Sequence, residues 1–233
     1  MKKSHSFPFN VGLLACILLL CAGYQHSEIT LSGEESKTPL TLENTGSFGV
    51  RPDIPTPNDI HRLTPSQEQD YLEYMNNPRY QSVKANKRMY NYLNKVSGNF
   101  SYEGITFNAR ETLAKNSGNC MSLAILTTAL ASLAELEIDY QLMDDVPVYE
   151  YNGATVKKGV HIRSIIYDRE SIEIDGVYFL SRQGIKVDYF PTNRQRFIGN
   201  LDRDEYLAMI YQNLAAEALD QDNLNQAYWL AME

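Results

Sequence analysis

Asn116-Ser117-Gly118-Asn119-Cys120-Met121-Ser122 turns a loop into a long apolar run, and from Met121 to Leu136 nearly every position is apolar or small. A helix that is apolar over so much of its circumference is buried, not amphipathic. The stretch therefore predicts a central helix beginning at Cys120, which presents that residue from the middle of the domain. A helix N-terminus offers unpaired N–H groups and the positive end of the macrodipole, and both favour thiolate over thiol. On that ground the Cys120 pKa is expected to be lowered.

Upstream, Asn108-Ala109-Arg110-Glu111 places asparagine three residues before glutamate, a capping box that starts a short helix ending near Lys115. Thr64-Pro65-Ser66-Gln67 has the same logic with proline at the first helical position and starts a helix to about Asn77. After Pro78, Val83, Met89, Tyr90, Leu93 and Val96 recur at helical spacing and stop at Gly98, giving a second amphipathic helix. Downstream of Glu137 the pattern changes to strands. Residues 140–143, 160–167, 171–174, 177–180 and 185–190 are short, rich in β-branched and aromatic residues, and parted by Gly or Asp turns. Helices followed by a block of strands predict an α+β domain with the buried helix packed on an antiparallel sheet. From Asp204 the chain is helical again, with a polar break at Asp220-Gln221-Asp222-Asn223 between two helices. That pair has the pattern of one tetratricopeptide unit, which cannot bury its own faces alone.

Lys2 and Lys3 precede an apolar core, Val11 to Leu20, much shorter than the ~20 residues of a spanning helix. Residues 1–23 therefore read as an export signal. Cys21-Ala22-Gly23 suits ordinary signal cleavage, while Cys16 after Ala15 and Cys21 after three leucines each offer a site for lipidation. The expected location is exported, periplasmic or as a membrane-anchored lipoprotein, with the membrane met only through such a lipid. Residues 24–63 contain Pro39, Pro52, Pro55 and Pro57 and few periodic apolar positions, and read as a flexible polar linker without catalytic work. This leaves 64–201 as the main domain and 202–233 as the terminal helix pair. The net charge of −8 opposes nucleic-acid binding, which needs clustered Lys and Arg.

Past the leader Cys120 is the lone cysteine, and in an oxidising compartment a lone thiol has either a chemical role or burial as a small hydrophobe. His5 and His26 lie in or beside the leader and His61 in the proline-rich approach, which leaves His161 as the histidine inside clearly folded sequence. One candidate nucleophile meets one candidate base. A third group must hold the imidazole in the right tautomer. Asp175 precedes Gly176, a pair that tight hairpin turns already explain; Asp188 reads as a mid-strand residue, with Ile185, Val187 and Tyr189 on the opposite face, and is the better candidate. Zinc wants three or four protein ligands, and one cysteine with one histidine does not supply them, so neither metal nor cofactor is expected. Asp144-Asp145 before Val146-Pro147 reads as a solvated turn in preference to a calcium site.

The order Gly118-Asn119-Cys120 at a buried helix start, His161 on the next major strand and Val187-Asp188-Tyr189 on a following strand resembles the transglutaminase-like (papain-like) superfamily. Over about Tyr71 to Trp229 it looks most like bacterial exported members that carry tetratricopeptide helices after that domain. The resemblance implies a Cys120, His161, Asp188 triad in a papain-like core, with a C-terminal helical hairpin. Gly159-Val160-His161-Ile162-Arg163 lacks the tryptophan that often follows histidine in true transglutaminases, which points away from protein crosslinking. Ala114 stands where papain-type enzymes have glutamine, so the Cys120 N–H is the identifiable oxyanion donor. The implied activity is acyl transfer on amide bonds of a protein or peptide substrate, as peptidase or amidase with water and as transamidase with an amine. The rival is a non-catalytic module in which fold and C-terminal helices bind an envelope protein and Cys120 is simply buried.

Overall fold

Capping chemistry starts five of the helices in the computed structural model of the chain, which describes residues 48–144, 149–152, 155–158, 161–174, 177–189 and 195–233. α1 (Pro57–His61), α2 (Pro65–Met75), α4 (Ala109–Lys115), α5 (Cys120–Leu133) and α6 (Arg203–Asp220) each have a reciprocal box, between Thr56 and Asp59, Thr64 and Gln67, Asn108 and Glu111, Asn119 and Ser122, and Asp202 and Glu205. Each box satisfies N–H groups that the first turn leaves without a partner. α3 (Ala85–Val96) follows a 3-10 turn at Pro78–Tyr80, and α7 (Leu224–Ala231) ends the set. The apolar run stops as a helix at Leu133, and Glu135 takes a left-handed φ of 54° where the chain leaves it. Among the described residues no helix is long and apolar enough to cross a membrane.

Four antiparallel strands form the main sheet in the order β7-β6-β3-β8: β3 (Glu137–Asp144), β6 (His161–Ile174), β7 (Val177–Val187) and β8 (Arg196–Leu201). Two small ladders lie outside it, a parallel one between β1 (Ser101–Tyr102) and β2 (Ser117–Gly118), and an antiparallel one between β4 (Tyr149–Asn152) and β5 (Thr155–Lys158). The mixed α/β class with an antiparallel sheet matches the expectation. The strand count does not. The described parts of the runs 160–167 and 171–174 are one strand, and those of 177–180 and 185–190 join in another, because the β6–β7 ladder continues unbroken through Asp168↔Gln183 and Arg169↔Arg182 to Ile174↔Val177. Backbone pairing does not depend on the polar residues that interrupt the apolar pattern there.

α5 packs on β6 and β3, and its Met121, Ala124, Ile125 and Leu126 share one buried cluster with Ile162 and Ile166 of β6 and Val187 of β7. The same cluster takes Tyr206 and Ile210 from α6 and Leu230 from α7. The terminal helix pair is therefore part of the core, not an appendage beginning at 202, and Asn44–Glu233 forms one compact unit. The linker expectation is also corrected for its last third: Ile54, Ile60 and Leu63 are buried, and residues 48–55 run along α6 and α7. There Phe48 stacks on Tyr228, Asn225 Nδ2 donates to the Val50 carbonyl, the Arg51 guanidinium pairs with Glu233, and Tyr211 donates to the Pro55 carbonyl. Proline-rich composition hid apolar anchors spaced too far apart to read as periodic. The unit Met1–Glu43 is counted apart from this one, and with it the export segment, Cys16 and Cys21 lie outside the described residues.

Candidate active site

Gly118 permits the turn into α5. Its φ is 141°, and a Cβ there would come within 2.5 Å of Ser122 Oγ, so a side chain is excluded on both counts. Asn119 then caps the helix. Its Oδ1 accepts from the Ser122 N–H at 2.9 Å, and its Nδ2 donates to Thr106 Oγ1 at 2.8 Å. The fully buried Ser122 Oγ accepts from the N–H of Phe107 at 2.9 Å and of Asn119 at 3.2 Å, which fixes the preceding loop to the cap. Cys120 follows as the first helical residue, reduced and half-buried.

The cap consumes the Ser122 N–H, and the N–H groups of Cys120 and Met121 face the sulfur together with that of Ile162 on β6. These three donors favour thiolate, as the sequence argument expects of a helix N-terminus. Burial outweighs them. The Cys120 pKa is pushed above its ordinary value of 9.0, because a sulfur removed from water loses more solvation as an anion than three backbone dipoles return. The expected lowering is thus corrected, and Cys120 rests as a thiol.

His161 opens β6 beside Ile162 and is buried, with Nε2 2.9 Å from Asp188 Oδ1. A carboxylate only accepts, so Nε2 carries a proton, and in the neutral ring Nδ1 then keeps its lone pair. Asp188 is the residue just after β7, not in mid-strand as expected, and Val187 before it lies opposite Ser164. Asp175 and Gly176 lie outside the described residues, but Ile174 before them is thirteen residues along β6 from His161, about 40 Å of extended strand. The structure brings His161 and Asp188 together and sets the Cys120 thiol against the backbone of Ile162, the residue after His161. A hydrogen bond between thiol and imidazole is not formed in this resting state.

Tyr189 ties the three elements together. Its hydroxyl lies 2.7 Å from Ser164 Oγ on β6 and 2.9 Å from Thr127 Oγ1 on α5, and Thr127 donates onward to the Leu123 carbonyl at 2.7 Å. The direction is forced. With the Thr127 proton spent on Leu123, Tyr189 donates to Thr127 and Ser164 donates to Tyr189, so each hydroxyl is satisfied. Burial raises the phenol's pKa far above its usual range. Sequence reading gave Tyr189 a place on the strand face opposite Asp188 but no bonding role, and it singled out neither Ser164 nor Thr127. The available signal was Thr127-Thr128, a polar pair inside an otherwise apolar helix, since buried hydroxyls demand partners.

Asp144 is held by Arg196, Nη2 to Oδ2 at 3.1 Å, while Asp145 lies outside the described residues. Among the described residues no three His, Cys, Asp or Glu side chains are grouped to hold a metal ion. A cavity of about 210 Å³ lies between α1, α4, α5 and α6, with Ile60, Ile125 and Ile210 at its apolar lining, Asp59 and Arg110 among its polar residues, and Thr106 and Phe107, which bond Asn119 and Ser122 of the cap, on its wall. It contains no nucleophile.

No family model matches the chain, and no curated protein matches it. Among solved structures it is similar to a proposed cysteine protease from Cytophaga hutchinsonii, at 15% identity and a TM-score of 0.24 over 61% of this chain. The chain spans 57% of that protein's length. A likeness so slight carries no argument about fold or chemistry.

Proposed function

We propose that this chain is an exported cysteine-dependent acyl-transfer enzyme acting on amide bonds of a peptide or protein, with a transglutaminase-like, papain-like core. The observation that carries the reading is the 2.9 Å bond from His161 Nε2 to Asp188 Oδ1 at the point where β6 passes the Cys120 thiol. Asp188 fixes the tautomer that leaves Nδ1 as the base. On substrate arrival Cys120 Sγ attacks the amide carbonyl carbon while its proton passes to Nδ1, and the Cys120 N–H stabilises the oxyanion. His161 then returns the proton to the departing amine nitrogen, leaving a thioester. Water or a second amine loses a proton to His161 and displaces the sulfur, which releases the acyl group and restores the thiol. Because burial holds the resting sulfur protonated, the imidazole acts during attack and not before it.

The raised thiol pKa and the unformed Cys120–His161 bond favour a second reading, a non-catalytic module of the envelope with Cys120 as a buried small hydrophobe. Alkylation of Cys120 by iodoacetamide, followed by intact mass between pH 5 and 10, separates the two. The enzyme predicts a rate near neutral pH that falls at least about tenfold in His161→Ala, since a base within reach typically contributes that much or more. Superimposable profiles for the two proteins sink the catalytic reading.

A further inference from the structure

We infer that Tyr189 is a positioning residue, whose hydroxyl holds Asp188 in register with both His161 and Cys120. The inference rests on the reading of Cys120 as nucleophile and His161 as base. The β6–β7 register runs to Ser164↔Val187, and β7 ends at Val187. Asp188 therefore lies one residue past the strand, where a carboxylate that meets His161 Nε2 at 2.9 Å needs a second support. Tyr189 supplies it from the next position. Its hydroxyl meets Ser164 Oγ at 2.7 Å and Thr127 Oγ1 at 2.9 Å, and its ring packs against the buried core.

Both anchors lie on the elements that carry the other two groups. Ser164 follows His161 along β6 by about 10 Å, and Thr127 follows Cys120 along α5 by about two helical turns. Both are fully buried, so neither hydroxyl has water to turn to. One phenol thus refers the backbone beside the carboxylate to the imidazole's strand and to the nucleophile's helix at once. Charge on the Cys120 sulfur is felt at the same hydroxyl, which sets the two close in space.

Packing alone does not require this arrangement. Apolar groups of the same shape at 127, 164 and 189 would fill the space with little or no loss of stability, because each buried hydrogen bond only replaces one made to water. What the hydroxyls add is direction. A ring held by dispersion tolerates small slides, whereas a hydroxyl bonded to two elements is kept at hydrogen-bond distance from each. A misplacement of about 1 Å near reacting groups costs about a hundredfold in rate, so the restraint bears on the Asp188 and His161 pair more than on the fold.

Cys120 alkylation by iodoacetamide, read as intact mass from pH 5 to 10 on the full chain, tests this in Tyr189→Phe, Asp188→Asn and the double variant. Tyr189→Phe is expected to slow the reaction at pH 7 by at least about tenfold. At pH 10 the loss is expected to be less than about twofold, since hydroxide then removes the thiol proton without the imidazole. In Asp188→Asn the same substitution is expected to change the pH 7 rate by less than about twofold, because a residue acting through Asp188 has nothing left to position. A loss equal at pH 7 and pH 10, or as large in Asp188→Asn as in the parent, makes Tyr189 a packing residue and overturns the inference. If Tyr189→Phe does not fold, Ser164→Ala, which removes one of the phenol's two bonds, is read in the same way: a loss at pH 7 of at least about threefold is expected, and no loss overturns the inference. A pH 7 rate that His161→Ala leaves unchanged overturns the base itself and the positioning with it. A His161-dependent rate that Tyr189→Phe leaves unchanged overturns the positioning alone.

Discussion

His61 is half-buried and His161 buried, and the two imidazoles differ in their partners. His61 Nδ1 donates to the Pro57 carbonyl at 2.6 Å and Nε2 accepts from the Tyr206 hydroxyl at 3.0 Å, so both nitrogens are consumed. Beyond it, Tyr206 lies within 3.1 Å of Thr128 on α5 and stacks on Tyr140 at 3.9 Å. His161 meets a carboxylate at Nε2, which in the neutral ring puts the lone pair on Nδ1. Thr127 and Thr128 are neighbours, yet one belongs to the cluster behind His161 and the other to the cluster behind His61. What marks an imidazole for proton transfer is a nitrogen left with its lone pair, not burial or a place in folded sequence.

The contrast breaks most completely if the His61 side is removed. A chain ending at Leu201 loses Tyr206, Ile210 and Leu230, three fully buried side chains of the kind whose truncation costs about 2–5 kcal/mol each. It is expected to lack a cooperative thermal transition and near-ultraviolet circular dichroism; a folded product places the helix pair outside the core. On the other side, Asp188→Asn removes the acceptor that sets the His161 tautomer. Cys120 alkylation near pH 7 is expected to slow by about a hundredfold or more, with the melting temperature nearly unchanged. An unchanged rate dissociates Asp188 from the imidazole's function.

Tyr206→Phe leaves the half-buried His61 Nε2 without its donor. The expected cost is about 1–3 kcal/mol, read as a melting temperature lower by about 2–10 °C, while Cys120 alkylation stays as it was. The smallest effect is on acid sensitivity. Burial lowers the His61 pKa below its ordinary value, with Arg203 adding repulsion against the Pro57 carbonyl's opposing pull. Above about pH 6.5 the ring is neutral both folded and unfolded and contributes no pH dependence. Below it the unfolded chain binds the proton first, so stability is lost as pH falls toward the depressed folded value. Melting curves from pH 7 to 5 are expected to fall less steeply in His61→Gln than in the parent chain; identical slopes remove His61 from the acid response.

Local chemistry was legible where it was self-contained. Thr64, Asn108 and their partners at N3 announce α2 and α4 because a capping box involves four adjacent residues and nothing else. Thr56 with Asp59 carries the same signal for α1, and the surrounding prolines obscured it. The burial of α5 was legible from composition, and the contact of His161 with Asp188 from their places on successive strand-like runs. What the chain does not display locally is which distant surface answers an amphipathic face, so α6 and α7 read as an appendage although Tyr206 reaches His61, 145 residues away. The sign of the Cys120 shift was lost for the same reason, since the dipole is local to α5 and the desolvation comes from β6 and the core around it. β8 escaped because its Arg196 to Leu201 run has neither clean alternation nor a bounding turn signal.

Gly118 has a consequence for how this site can drift. The oxygen that a methyl group at 118 would strike, Ser122 Oγ, anchors Asn119 before the nucleophile and Phe107 at the foot of the 101–106 segment. A single added carbon would therefore shift two things at once, the bearing of the sulfur and the backbone of the loop at Phe107. A mutational path that retunes one without the other must begin away from position 118, at a residue whose side chain does not reach that oxygen.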